Sequence, residues 1–181
     1  MNPMKKLLIF LFCSAMAFAQ KDLASAEKFQ SELNQSYADS LKSPLTKEDF
    51  KQFKGLDFFS INEKYIVEAT FIRTKKEKPF GMKTTTSRTP LYKKYGELHF
   101  KIDDKAFKLN VYQNVDLNKK PGYEDYLFLP FSDLTCGKES YIGGRYVDMK
   151  IQKGKIWTID FNKAYNPYCA YNYEYSCPIV P

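Results

Sequence analysis

From Leu56 onward the apolar residues of this chain recur at every second position, in short runs separated by turn-forming clusters. Tyr65, Val67, Ala69 and Phe71 alternate with Ile66, Glu68, Thr70 and Ile72, and Gly96, Leu98, Phe100 and Ile102 alternate with Tyr95, Glu97, His99 and Lys101. A period of two puts successive side chains on opposite faces of a strand, so each run predicts a strand with at least one buried face. The 14 Tyr and 15 Phe, against one Trp, suit strands and contact surfaces better than long helices.

Turn chemistry joins these strands. Asp103-Asp104-Lys105 separates the second run from Phe107, Leu109 and Val111, predicting a hairpin. Tyr126-Leu-Phe-Leu-Pro130 predicts a buried strand that ends at the proline, and Pro90 excludes a central strand around it. The segments 145–151 and 156–162 flank Gln152-Lys153-Gly154-Lys155 and predict a last hairpin. In its register Val147 faces Asp160 and Arg145 faces Asn162, so Arg145, Asp160 and Asn162 share a face.

Ahead of the strands, Leu23, Ala26, Leu33 and Tyr37 fall near helical spacing, and Ser43-Pro44 closes that helix. Thr46-Lys-Glu-Asp49 has the form of a capping box and predicts a second, short helix that stops at Gly55. The fold expected is mainly β, an antiparallel sandwich or partly closed barrel with two N-terminal α-helices packed outside.

The first residues are a targeting segment. Lys5 and Lys6 precede an apolar stretch over 7–16 and an Ala17-Phe18-Ala19 cleavage site, the pattern of a secretory signal. Phe12 before Cys13 is too bulky for a lipid-anchored cysteine, so the expectation is plain export. Residues 1–19 are then signal, 20–55 a helical segment and 56–181 a β domain, with the mature protein periplasmic or secreted. Cleavage takes away two lysines and no acid, lowering the formal charge from +7 to +5. The remaining lysines are scattered and no recognition motif accompanies them, which argues against nucleic acid. No apolar run after residue 19 is long enough to span a bilayer.

Arg145 with Asp160 and Asn162 is the first candidate site, because a guanidinium held by a carboxylate is a fixed fork for carboxylates, phosphates or sugar hydroxyls. Tyr165 and Asn166 extend it into a tyrosine- and asparagine-rich closing stretch suited to stacking and hydrogen bonding. Gly143-Gly144 allows either close approach to a ligand or a tight entry into the strand. Cys169 and Cys177 enclose a short loop and read as a disulfide, a redox pair or metal ligands. The C-x-x-C of redox catalysis is absent, and so are the paired ligands of zinc sites, so a disulfide is expected and no metal or cofactor. The only histidine, His99, lies on a polar strand face beside Glu97.

Gly143-Gly-Arg-Tyr146, then Asp160-Phe-Asn-Lys-Ala-Tyr-Asn-Pro-Tyr-Cys-Ala-Tyr171 and Cys177-Pro178, resemble the blocks of the bacterial domain-of-unknown-function family 1684. Gly55-Leu-Asp-Phe-Phe59, Tyr95-Gly-Glu-Leu-His-Phe100 and Leu127-Phe-Leu-Pro-Phe131 resemble further blocks, so the likeness runs from about Ser43 to Pro181. It implies membership and no activity. Cys136 stands where the family has a polar residue such as Asn, which makes it the expected unpaired thiol. The family's pattern continues beyond Pro181, which implies a trimmed β domain or a fragment. The expected function is a binding module for a small polar or carbohydrate ligand through Arg145, Asp160, Asn162, Tyr165 and Asn166. The alternatives are a hydrolase of an envelope substrate with Asp148 or Asp160 as base, thiol chemistry at Cys136, and a structural envelope protein without ligand.

Overall fold

The computed structural model describes residues 22–181, so the signal expected over residues 1–19 lies outside the described residues. Asp22 accepts the Ser25 amide at 3.1 Å and starts helix α1 (Leu23–Ala38), which buries Ala26 and Tyr37. The Thr46 hydroxyl accepts the Asp49 amide at 3.1 Å and donates to its carboxylate at 2.6 Å, capping α2 (Lys47–Gln52). This helix ends at Gln52, short of Gly55, because Phe53 turns extended and lays its ring 6.1 Å from that of Tyr37.

The strands are β1 (Ile66–Arg73), β2 (Phe80–Gly81), β3 (Leu91–Ile102), β4 (Lys105–Asn114), β5 (Tyr126–Phe131), β6 (Arg145–Lys150) and β7 (Ile156–Asp160). All pairings are antiparallel, in the order β6-β5-β4-β3-β1-β7 with β2 beside β3. The mainly β, antiparallel class therefore holds, as one sheet curled into a half-barrel. Curling is what lets Trp157 and Ile159 of one edge strand share a core with Val147 and Met149 of the other.

Asp103 and Asp104, with φ of 49° and 60°, form the two-residue turn of the β3–β4 hairpin, a backbone that Asp tolerates better than most residues. Farther along, a bulge at Tyr95 shifts the register between Lys94 and Gly96. Leu98, Val111, Leu127, Leu129 and Val147 consequently fill the inner face, while Tyr92, Tyr112, Phe128 and Tyr146 pack with Met82 on the outer face. A Cβ at Gly96 would lie 2.3 Å from the Phe71 ring, so the glycine gives that ring its place in the core.

Pro130 continues β5 instead of ending it, opposite Tyr146. The Tyr146 amide and carbonyl both turn away to Tyr165, each bond 3.0 Å long, so the nitrogen of Pro130 points toward β4. There the β4–β5 register pair, Tyr112 with Phe128, has already passed, and no ladder requires the missing N–H.

The expected hairpin between 145–151 and 156–162 does not form. Arg145 pairs with Phe131 of β5, and Asp160 with Ile66 of β1, so β6 and β7 take opposite ends of the sheet order. The link between them bends away: the Ile151 amide goes to the Asp125 carbonyl at 2.8 Å. The Gln152 side chain then takes both the N–H and the C=O of Thr158, each at 2.8 Å, mimicking a peptide group along the open edge of β7. A short connection rich in turn residues looks like a hairpin from sequence, but a curled sheet uses it to pass from one edge to the other.

Candidate functional site

Strands β3, β5 and β7 end, and β1, β4 and β6 begin, at one mouth of the half-barrel. A cavity of about 840 Å³ opens there, within the range of small-molecule sites. Phe100 and Ile102 from β3 and Phe107 and Leu109 from β4 form one wall. Phe58 and Phe59, on the approach to β1, and Phe131 and Phe161 supply much of the rest.

Arg145, the first residue of β6, reaches this cavity from its rim. Its guanidinium carbon lies 4.9 Å from the centre of the Phe59 ring and 5.1 Å from that of Phe131, a cation held between two aromatic rings. Nη2 donates to Asp133 at 2.5 Å. The side chain is only 13% exposed, and its buried Nε has no hydrogen-bond partner among the described residues. Asp133 also accepts the Thr135 amide at 2.9 Å and hydroxyl at 2.5 Å. Burial pushes the Asp133 carboxyl up, but the Thr135 bonds and the Arg145 charge outweigh it and hold it below the ordinary value.

Of the residues expected to gather around Arg145, Asn162 lines the same cavity, and Tyr165 and Asn166 line a small cleft beside it that Arg145 also borders, whereas Asp160 lines neither. Asp160 accepts the Asn162 amide at 3.1 Å and side-chain nitrogen at 2.9 Å, and lies 3.8 Å from Lys163. Asn162 is 9% exposed and lines the cavity, yet its side chain is fully engaged: Oδ1 accepts the Asn62 amide at 2.8 Å and Nδ2 also donates to the Asn62 carbonyl at 3.1 Å. Tyr165 donates to Asp148 at 2.9 Å on the outer face, and Asn166 accepts the Tyr141 amide at 3.2 Å. The carboxylate beside Arg145 is thus Asp133, not Asp160, because the hairpin register that joined them is absent. Asp133 carried no sequence signal.

Gly144 has a φ of +91°, and a Cβ there would meet the Phe131 carbonyl oxygen at 2.6 Å, so it serves the tight entry into β6. His99 lies 3.0 Å from Glu97, which also takes Lys94 at 2.6 Å. The Lys94 and His99 bonds hold the Glu97 carboxyl down at about 2. The Cys136 sulfur accepts the Asp133 amide at 3.4 Å. Cys169 and Cys177 stand side by side as free thiols, the amide of the first 3.2 Å from the sulfur of the second. Among the described residues no helix is long and apolar enough to cross a membrane, and no cluster of three or more His, Cys, Asp or Glu is placed to hold a metal ion.

Asp148 makes a second polar centre. One of its oxygens accepts both the Tyr126 hydroxyl, at 2.7 Å, and that of Tyr165. Although the residue as a whole reaches solvent, the carboxylate is crowded by protein, and burial raises its pKa while the two phenol bonds offset only part of the rise. A raised carboxyl contributes stability below its unfolded value, near ~4, that is lost as pH climbs through the folded value. Asp148→Asn keeps an acceptor for both phenols and removes that loss. Thermal melts across pH should show the variant gaining on the wild type as pH rises, with the difference closing below about pH 4; a pH-independent difference would contradict the assignment.

A family model described as a protein of unknown function (DUF1684) matches residues 51–181. The chain is similar to the solution NMR structure of an uncharacterized protein from Haloarcula marismortui, with 31% identity and a TM-score of 0.67. That match covers 87% of this chain and 85% of the other. No curated protein matches it.

Proposed function

We propose that this chain, which belongs to the DUF1684 family, is an exported binding module whose half-barrel mouth holds a small ligand through Arg145. One observation carries this reading: a guanidinium clasped between Phe59 and Phe131 at the rim of a large cavity, with its buried Nε unmatched. Leaving a charged donor unpaired in a buried place is costly, and an anion that completes the fork removes that cost. The signal pattern of residues 1–19 supports export to the periplasm or beyond. Of the five residues expected to bind ligand, Arg145 keeps that role. Asn162 shapes the wall, and Asp160, Tyr165 and Asn166 support the frame.

Arg145→Met should fold and lose ligand-induced thermal stabilisation, with affinity for an anionic ligand falling by at least about tenfold. Unfolding of this variant, with loss of cooperative melting, would assign Arg145 to the frame instead. Export also places Cys169 and Cys177 in an oxidising compartment, where their adjacency favours a disulfide. Thiol titration of the denatured, unreduced protein should find Cys136 alone; three reactive thiols would refute the bond.

A hydrolase reading finds less support. Asp160 is engaged with Asn162 and Lys163, and Asp148 is paired with tyrosines on the outer face. His99 pairs with Glu97, apart from both carboxylates.

A further inference from the structure

We infer that the ligand is a single-chain amphiphile ending in a carboxylate, a medium- to long-chain fatty acid in chemical class; this rests on the binding reading above. The polar groups around the cavity that are buried and unpaired set the class of ligand. A ligand gains most by satisfying a polar group that the fold has buried and left unpaired, and each amide facing the cavity is bound within the protein through at least one of its side-chain atoms. Gln30 Nε2 donates to the Asn162 carbonyl at 3.1 Å, and Asn62 Oδ1 accepts the Lys64 amide at 2.9 Å. Both side-chain atoms of Asn162 are bound within the protein. Ser60, Tyr65, Lys108 and Ser132 also line the cavity but are exposed and open to water. What it offers a ligand is therefore mainly apolar wall and, among the described residues lining it, one buried polar atom without a partner, Arg145 Nε.

Those two features are matched by one molecule, with an alkyl chain against the wall and a carboxylate on the guanidinium. Asp133 uses Nη2 alone, while the planar fork of Arg145 is shaped for an anion that spans Nε and Nη2 together. An incoming carboxylate therefore replaces Asp133 on Nη2 and gains Nε. Asp133, freed from Arg145, keeps its two bonds to Thr135. The rim is apolar as well: Leu134, next to Asp133, is 93% exposed, and Phe107 is 45% exposed, giving the chain a greasy path inward.

Isothermal titration calorimetry of the purified chain tests this with dodecanoate, octanoate, 1-dodecanol, acetate and maltotriose, alongside sedimentation with phosphatidylserine vesicles. Dodecanoate should bind with one-to-one stoichiometry, at least tenfold more tightly than 1-dodecanol. Affinity should rise by up to about fourfold per methylene from octanoate to dodecanoate. Arg145→Met should erase the advantage of acid over alcohol, whereas Phe107→Ala, at a partly exposed wall position, should weaken both. If Arg145→Met does not fold, Asp133→Asn decides: removing the internal competitor should tighten dodecanoate severalfold, and unchanged or weaker binding overturns the proposal. Equal affinity for acid and alcohol also overturns it. Binding of maltotriose that depends on Arg145, without dodecanoate, sinks the fatty-acid class and leaves the binding reading standing. Vesicle association without dodecanoate binding places the ligand chemistry in a lipid headgroup and again overturns the free acid. Heatless titrations with every probe, confirmed by unchanged melting, overturn both.

Discussion

Trp157→Ala is expected to cost about 3 to 5 kcal/mol of folding stability and to lower the melting temperature by on the order of 10 °C. Trp157 is 1% exposed on β7, and its ring lies 3.8 Å from that of Phe71 with an angle of 10° between the planes. Phe71 in turn rests over Gly96 and lies 5.9 Å from the Tyr95 ring. The tryptophan therefore closes a stack that runs from β7 through β1 to the bulge of β3. Its indole N–H donates to the Gly154 carbonyl at 3.2 Å and fixes the corner before β7 as well. A domain of this size has about 5 to 15 kcal/mol in total, so this one truncation removes a large share. Trp157→Phe should restore much of the loss by keeping a ring against Phe71. Urea denaturation of both variants checks the ranking, and a loss below about 1 kcal/mol for the alanine would mean that the stack does not hold β7 in place.

The position of that tryptophan shows what a sequence does and does not disclose. The strand that carries it is legible over 156–162, and a period of two marks β1, β3 and β4. Local chemistry is equally plain: Asp22 and Thr46 cap their helices, and Asp103-Asp104 turns its hairpin. Each of these signals is settled by neighbours within a few residues. Which strand β7 pairs with is not, because closing a curled sheet brings together segments about ninety residues apart, Val67 opposite Ile159 for example. The candidate site inherits that error. Arg145 is recognisable as a cation that needs a partner, whereas Asp133 becomes that partner only through the path of the loop between β5 and β6. The cavity is harder still to read, since Phe100, Phe131 and Phe161 line it with the residue types that would fill a core. A cavity is a place where packing stops, and no residue type announces that.

Asn162→Ala gives the second large effect, a loss of about 2 to 3 kcal/mol, because three hydrogen bonds of one mostly buried side chain vanish together. The consequence for binding is indirect. Asn162 joins the turn after β7 to the backbone of Asn62, and Asn62 follows the segment whose Phe59 ring covers Arg145. Loosening that segment should weaken dodecanoate even though the amide of Asn162 is already fully engaged. A direct ligand contact predicts lower affinity as well, but with stability unchanged. The pair is also asymmetric in a way that tests the geometry. At 162 the side chain does the holding, but at 62 the backbone N–H and C=O are held, so Asn62→Ala leaves the clamp intact. It should cost no more than the side-chain bond to the Lys64 amide, about 0.5 to 2 kcal/mol, and leave ligand affinity unchanged. Equal losses at the two positions, in melting temperature or in affinity, would show that the connection between them runs through something other than this clamp.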